Sequence, residues 1–215
     1  MNRLLRTAIT YLNNNDKLIY SYRGNTFLQG GELYDPQHGG RGRIDCSTLV
    51  HLALLGIEYD ESPYVQGEAG RFFDTVCPWY DASSMDDCKV EQAGITSTLK
   101  IGQVFEMLPD RANDIRRAYG LAKFCRETGL EISSYEDRQP GDLVFFEAPS
   151  SVYDEYIKYG AYMAISHVGI IAEDTDMMIN ATGRSSQEYN ALHDPVKKMS
   201  ISEKGIPVIT ARLQN

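Results

Sequence analysis

Residues 166–181 read SHVGIIAEDTDMMINA, two apolar, β-rich runs separated by the polar stretch 173–176. Two such runs on either side of a short polar turn predict an antiparallel hairpin. A third run, DLVFF at 142–146, is announced by the turn pair Pro140-Gly141, and residues 206–213 suit a last strand. Everything after Gln139 therefore reads as strands.

The chain before this point carries helical signals. Leu4, Leu5, Ala8, Ile9 and Leu12 recur at helical spacing within residues 2–14, and the Asn13–Asn15 run closes that helix. A second helix is predicted from Asp45 through Leu55, ending at Gly56. Residues 98–128 read as two helical pieces broken at Pro109, with Asp110 as cap of the second. Residues 21–42 are glycine-rich and read as a long loop, and residues 60–94 are polar and irregular. Helices first and strands after predict an α+β domain with an antiparallel sheet.

Several function classes are disfavoured by composition. The 215 residues carry a net charge of −9, which argues against nucleic acid as partner because phosphate binding needs a basic surface. No run of 18 apolar residues occurs, so no membrane-spanning helix is expected. Arg3 and Arg6 are not followed by an uninterrupted apolar stretch, so the first residues read as an amphipathic helix and not a signal peptide. The expected location is the cytoplasm, or the outside by a non-Sec route such as phage lysis or effector secretion. Cys46, Cys77, Cys88 and Cys125 show no CxxC spacing, and no Cys/His cluster suggests a metal. Cys77 and Cys88 could pair in an oxidising compartment, whereas reduced thiols suit the absence of a signal peptide.

Cys46 stands at the predicted start of the second helix. One reading is a small buried apolar residue. The other is a nucleophile, since a thiol in the first turn feels the positive end of the helix dipole, which favours thiolate. A nucleophile needs a base, and four histidines are available: His38, His51, His167 and His193. His51 lies five residues beyond Cys46, about 500° of helical rotation, and faces away. His38 and His193 sit among loop signals. His167 opens the strand HVGII, a rigid mount for a ring. Asn180, in the returning run MMINATG, is placed to accept from that ring and set its tautomer.

Taken in order, Asp45-Cys46-Ser47, then Pro140-Gly141-Asp142-Leu143-Val144-Phe145-Phe146, then His167-Val168-Gly169-Ile170 resemble the NlpC/P60 family of cysteine peptidases. The resemblance spans residues 40–60 and 135–183. It implies a papain-like α+β fold with the nucleophile helix packed on a small antiparallel sheet. It also implies cofactor-free hydrolysis of amide bonds in bacterial peptidoglycan stem peptides, often the D-γ-glutamyl to diamino-acid bond. By this match Cys46 is the nucleophile, His167 the general base and Asn180 the third catalytic residue, where the family commonly has His. Asp45 and Ser47 would bind the free amino end of the substrate, and the Cys46 N–H would help hold the oxyanion.

The chain departs from the family pattern at two places. Thr48 stands where the family has glycine, and more than 90 residues separate Cys46 from the PGDLVFF strand. The extra length predicts a single domain, 1–215, with an insertion or lid at roughly 60–137. Tyr64, Trp79 and Tyr80 within it would line a substrate groove or form a satellite core. Gly39-Gly40-Arg41-Gly42-Arg43 lacks the strand and the Lys-Ser/Thr of a phosphate loop, so it reads as a flexible approach to the helix. Arg43 in this stretch could bind a substrate carboxylate. Two alternatives stand beside the endopeptidase: a CHAP-type cell-wall amidase with the same Cys-then-His order, and a non-catalytic interaction or structural module that keeps the fold.

Overall fold

The computed structural model describes residues 2–20, 42–55, 58–59, 87–89, 98–100, 117–127, 129–150, 153, 161–183 and 195–213. They form an α+β fold around a five-stranded, wholly antiparallel sheet. The chain opens with helix α1 (Arg3–Asn13), strand β1 (Leu18–Tyr20), strand β2 (Gly42–Ile44) and helix α2 (Cys46–Leu55). Strands β3 (Asp87–Lys89) and β4 (Thr98–Lys100) pair as a separate two-stranded ladder, and helix α3 (Ala118–Glu127) follows. The main sheet comes from β5 (Leu143–Glu147), β6 (Ile165–Ile171), β7 (Met177–Ala181), β8 (Val196–Ser200) and β9 (Pro207–Ala211). Its order is β8-β7-β6-β5-β9, and the short helix α4 (Ile201–Lys204) sits between β8 and β9.

Both faces of this sheet are covered. On one face Leu143, Phe145, Val168, Ile170, Ile179 and Ala181 meet the apolar sides of α1, α2 and α3. On the other Val144, Phe146, Ile171 and Met178 form a smaller cluster with Ile201 of α4. A strand buried on both faces needs apolar residues at every position, which is why LVFF and VGII are continuous runs rather than alternating ones. Each fully buried Phe or Ile in them contributes about 1.5–3 kcal/mol of transfer free energy.

Local chemistry sets the ends of these elements. Asn2 caps α1, its side chain accepting from the Leu4 N–H at 2.8 Å. Gly141 holds φ at +93°, and a Cβ there would lie 2.4 Å from the Asn2 side chain, so the turn into β5 takes only glycine. Next to it the buried Asp142 carboxylate accepts from the Gln139 N–H at 2.7 Å and holds Arg212 through two oxygens at 2.9 and 2.8 Å. This pair clamps the start of β5 to the end of β9.

The structure departs from the sequence reading in five places. Residues 98–100 are a strand and not the start of a helix, and residues 87–89 pair with them, so β pairing overrides an irregular-looking sequence. Residues 42–44 are a strand, parallel to β1, where a flexible approach was expected. β8 is amphipathic and half exposed, which hides it from a search for apolar runs. The strand-rich C-terminal half also contains the single turn of α4. Helix α3 lies inside the stretch read as an insertion, yet its Leu121, Ala122, Phe124 and Cys125 belong to the main core. Tyr64, Trp79, Tyr80, Cys77, Pro109 and Asp110 lie outside the described residues. Among the described residues no helix is long and apolar enough to cross a membrane.

Candidate active site

The N-terminus of α2 is built by Asp45. Its Oδ1 accepts from the Thr48 N–H and the Thr48 hydroxyl, each at 2.8 Å, and from the Ser47 hydroxyl at 2.9 Å. That is an N-cap bond reinforced by two hydroxyls, and it places Cys46 at the first helical position. Asp45, Ser47 and Thr48 are all buried. Thr48, the residue where glycine was expected, gives its hydroxyl to this cap. The hydrogen bonds of Asp45 and Ser47 are thus part of the helix terminus. Arg43 lies on β2 and His51 on α2, but their side chains fall outside the described residues, as do His38 and His193.

Strand β6 points Val168 and Ile170 toward α2. His167, Gly169 and Ile171 alternate onto the other face. There His167 lies beside Phe146, its registered partner on β5, with ring centroids 6.1 Å apart. Both ladders of β5 shift register between Phe145 and Glu147, a bulge that ends regular pairing beside the histidine. β6 and β7 pair only at Ile170–Ile179 and Ile171–Met178, whereas β7 stays paired with β8 through Ala181. The two strands therefore part at the His167 end. Gly169 sits at the parting, where a Cβ would lie 2.7 Å from Met178 Sδ and 3.4 Å from Asn180 Cβ. Its lack of a side chain lets those of β7 cross over it.

His167 Nε2 and Asn180 Oδ1 are 2.9 Å apart across this gap. The amide orientation is set by its other end, because Asn180 Nδ2 donates to the Lys197 carbonyl at 3.3 Å. A carboxamide whose nitrogen faces a carbonyl must turn its oxygen to the ring, so Nε2 carries the proton and donates. Nδ1 is left with its lone pair, the state a general base requires. Asn180 was expected beside His167, and the two are brought together here. His167 is 5% exposed and Asn180 0% exposed, so water does not compete for the bond.

The backbone N–H of Val168, the residue after His167, favours the thiolate of Cys46. No hydrogen bond joins the thiol to the His167 ring among the described residues. Cys46 is 7% exposed. Burial, and then the charge of Asp45, push its thiol up to about 12, and the Val168 N–H and Lys204 oppose this only in part. A thiolate favoured by the helix dipole was the expectation; desolvation reverses it. Burial, and then Lys204, hold the His167 imidazole down at about 3, with the Asn180 bond pulling the other way. Thiol and imidazole are both neutral in this closed arrangement.

Lys204 is a nearby charge that sequence reasoning did not single out. It comes from α4, its charge acts on both Cys46 and His167, and burial lowers its own basicity. The available signal was the Lys-Gly pair ending a short helix, which marks a C-terminus but no site. A cleft of about 560 Å³ lined by Ile132, Ser133, Glu136, Arg138 and Arg212 lies elsewhere. Its arginines are already paired with Asp176 and Asp142. Among the described residues no group of three or more His, Cys, Asp or Glu is arranged to hold a metal ion. No family model matches the chain, and neither does any curated protein or solved structure.

Proposed function

We propose that the chain is a cysteine hydrolase of the papain-like, NlpC/P60 type, cleaving peptide amide bonds in bacterial peptidoglycan stem peptides. One observation carries the reading: a buried histidine held by an amide that the Lys197 carbonyl turns toward it, on a strand packed against the helix that Cys46 opens. A histidine serving only as packing has no need of an amide held in one orientation by a carbonyl.

In this mechanism His167 Nδ1 takes the proton from Cys46 Sγ as the sulfur forms a bond to the scissile carbonyl carbon. The carbonyl oxygen becomes an oxyanion that the Cys46 N–H, at the first turn of α2, can stabilise. The C–N bond then breaks, and the imidazolium gives its proton to the departing amine. A water molecule, deprotonated by the same Nδ1, hydrolyses the thioester and restores the thiol. His167 lies on the sheet face opposite α2, so this transfer needs the ring to reach the sulfur around the parted end of β6 when substrate binds.

Burial of both groups favours a second reading, a non-catalytic module that retains the fold. Purified peptidoglycan digested with wild type and with Cys46→Ala, followed by mass analysis of fragments, separates the readings. New stem-peptide fragments from wild type alone support the endopeptidase. Release of whole stem peptides from glycan would identify a CHAP-type amidase, and identical profiles would remove the cell wall as substrate.

A further inference from the structure

The two edges of the main sheet, β8 and β9, are joined directly by residues 201–206, which therefore cross β7, β6 and β5. Ile201 fixes the face they cross, because it packs in one cluster with Phe146, Ile171 and Met178. His167 lies on that face, beside Phe146. The crossing leaves from Ser200, paired with Met177, and lands at Pro207, paired with Phe146. Phe146 pairs with His167 on its other side, so the connection comes down on the histidine's own row, just across β5. Four strand spacings put the two edges about 19 Å apart. One helical turn with a few extended residues reaches about as far, so the connection has little slack.

The segment is seated at its ends and loose between them. Ile201 is buried, and its N–H donates to the Asp176 carbonyl at 2.9 Å. Ser202, Glu203, Gly205 and Ile206 are exposed, Ile206 at 87%. Gly205 holds φ at +138°, yet a Cβ there would meet nothing within 4 Å, so only its backbone demands glycine. The ladders around His167 give out through the β5 bulge and the parting of β6 from β7, and still the ring is only 5% exposed. Among the described residues, 201–206 is the connection that crosses this face.

We propose that residues 201–206 form a strap that closes over His167, and that it lifts on Gly205, between its seats at Ile201 and Pro207, to open the imidazole to solvent or substrate. The strap is a property of the fold, so it stands whether or not the chain is a hydrolase.

Diethyl pyrocarbonate, which acylates neutral imidazole, reads this access on the full chain at neutral pH, with His167 followed by peptide mapping. Alkylation of Cys125 by N-ethylmaleimide is followed alongside. That thiol is 0% exposed in α3, on the opposite face of the sheet, and reports general loosening. An L-residue at Gly205 strains the closed strap alone, so Gly205→Ala should raise the His167 rate about tenfold and leave the Cys125 rate unchanged. Insertion of two glycines after Gly205 gives the strap slack without strain and should act in the same way; it decides the matter if Gly205→Ala does not fold. A wild-type His167 that reacts as fast as in urea-unfolded chain would overturn the strap. So would a rate unchanged in either folded variant, or His167 and Cys125 rates that rise together.

Discussion

Truncating Asn180 to alanine probes the one polar bond that gives the site its chemistry. The change removes the acceptor of the His167 Nε2–H at 2.9 Å and the donor to the Lys197 carbonyl at 3.3 Å. The first loss leaves a donor unpaired where solvent does not reach, because Asn180 is 0% exposed. A buried unpaired polar group costs about 1–3 kcal/mol, whereas the Lys197 carbonyl lies on a half-exposed strand and can find water. With the small void left by the side chain, the expected loss is about 2–3 kcal/mol, or roughly 5–10 °C in melting temperature for a chain of this size. The stability loss alone does not test the tautomer. Imidazole nitrogen shifts on ¹⁵N-histidine-labelled protein do, with His167 assigned by its absence in His167→Gln. Wild type should show a protonated Nε2 and a bare Nδ1 at neutral pH, and Asn180→Ala should show both tautomers. A protonated Nδ1 in wild type, or an unchanged ring in the variant, would refute the reasoning.

Three further outcomes follow from the same geometry. His167 is held down at about 3 in the fold against 6.5 in an unfolded chain, so the unfolded state takes up a proton the fold refuses. Its contribution is present above about pH 6.5 and is lost as pH falls toward 3, amounting to about 2 kcal/mol by pH 5. Urea titrations of wild type and His167→Gln at pH 7 and pH 5 should therefore differ in their pH dependence by about that amount, and parallel curves would contradict it. Asp45→Asn keeps a good helix cap but removes the charge that helps raise the Cys46 thiol. The pH midpoint of Cys46 alkylation should move down with less than about 1 kcal/mol lost in stability, and a midpoint that stays or rises would count against it. Asp142→Ala strands Arg212 and the Gln139 N–H, and chemical denaturation should show a loss of about 3–5 kcal/mol, with a loss under 1 kcal/mol excluding the clamp.

The parts of this fold that were legible in the sequence are those whose physics is local. The hairpin across residues 173–176 was visible because its two apolar runs flank a polar turn, and β6 and β7 form there. The turn into β5 was visible because only glycine accepts its backbone. His167 could be preferred over His51 from helical rotation alone, and Asn180 could be placed beside it from hairpin return. What was not legible depends on partners distant in sequence. The direction of the Cys46 shift is set by how many core residues surround it, a quantity no local pattern encodes. Lys204 lies 158 positions from Cys46, and only the packing of Ile201 on Ile171 and Met178 seats its helix against the sheet. β8 and the β1–β2 pair also owe their strand character to neighbours rather than to their own residues.

The helix dipole and desolvation compete at Cys46, and their magnitudes decide the resting state. A dipole at a helix terminus is worth about 0.3–1 kcal/mol at an exposed position, whereas full burial of a charge shifts a pKa by as much as 3–5 units. Burial is the first cause at both Cys46 and His167, and it moves them in opposite directions, the thiol up and the imidazole down. Proton transfer from sulfur to ring is therefore uphill while the site stays dry. Any event that admits water brings the two values toward each other from both sides. A thiol that stays protonated until substrate arrives is also protected from oxidation, which proceeds through the thiolate. The closed, neutral pair is thus as well suited to a hydrolase at rest as to an inert core, and the amide orientation at Asn180 is the feature that separates the two.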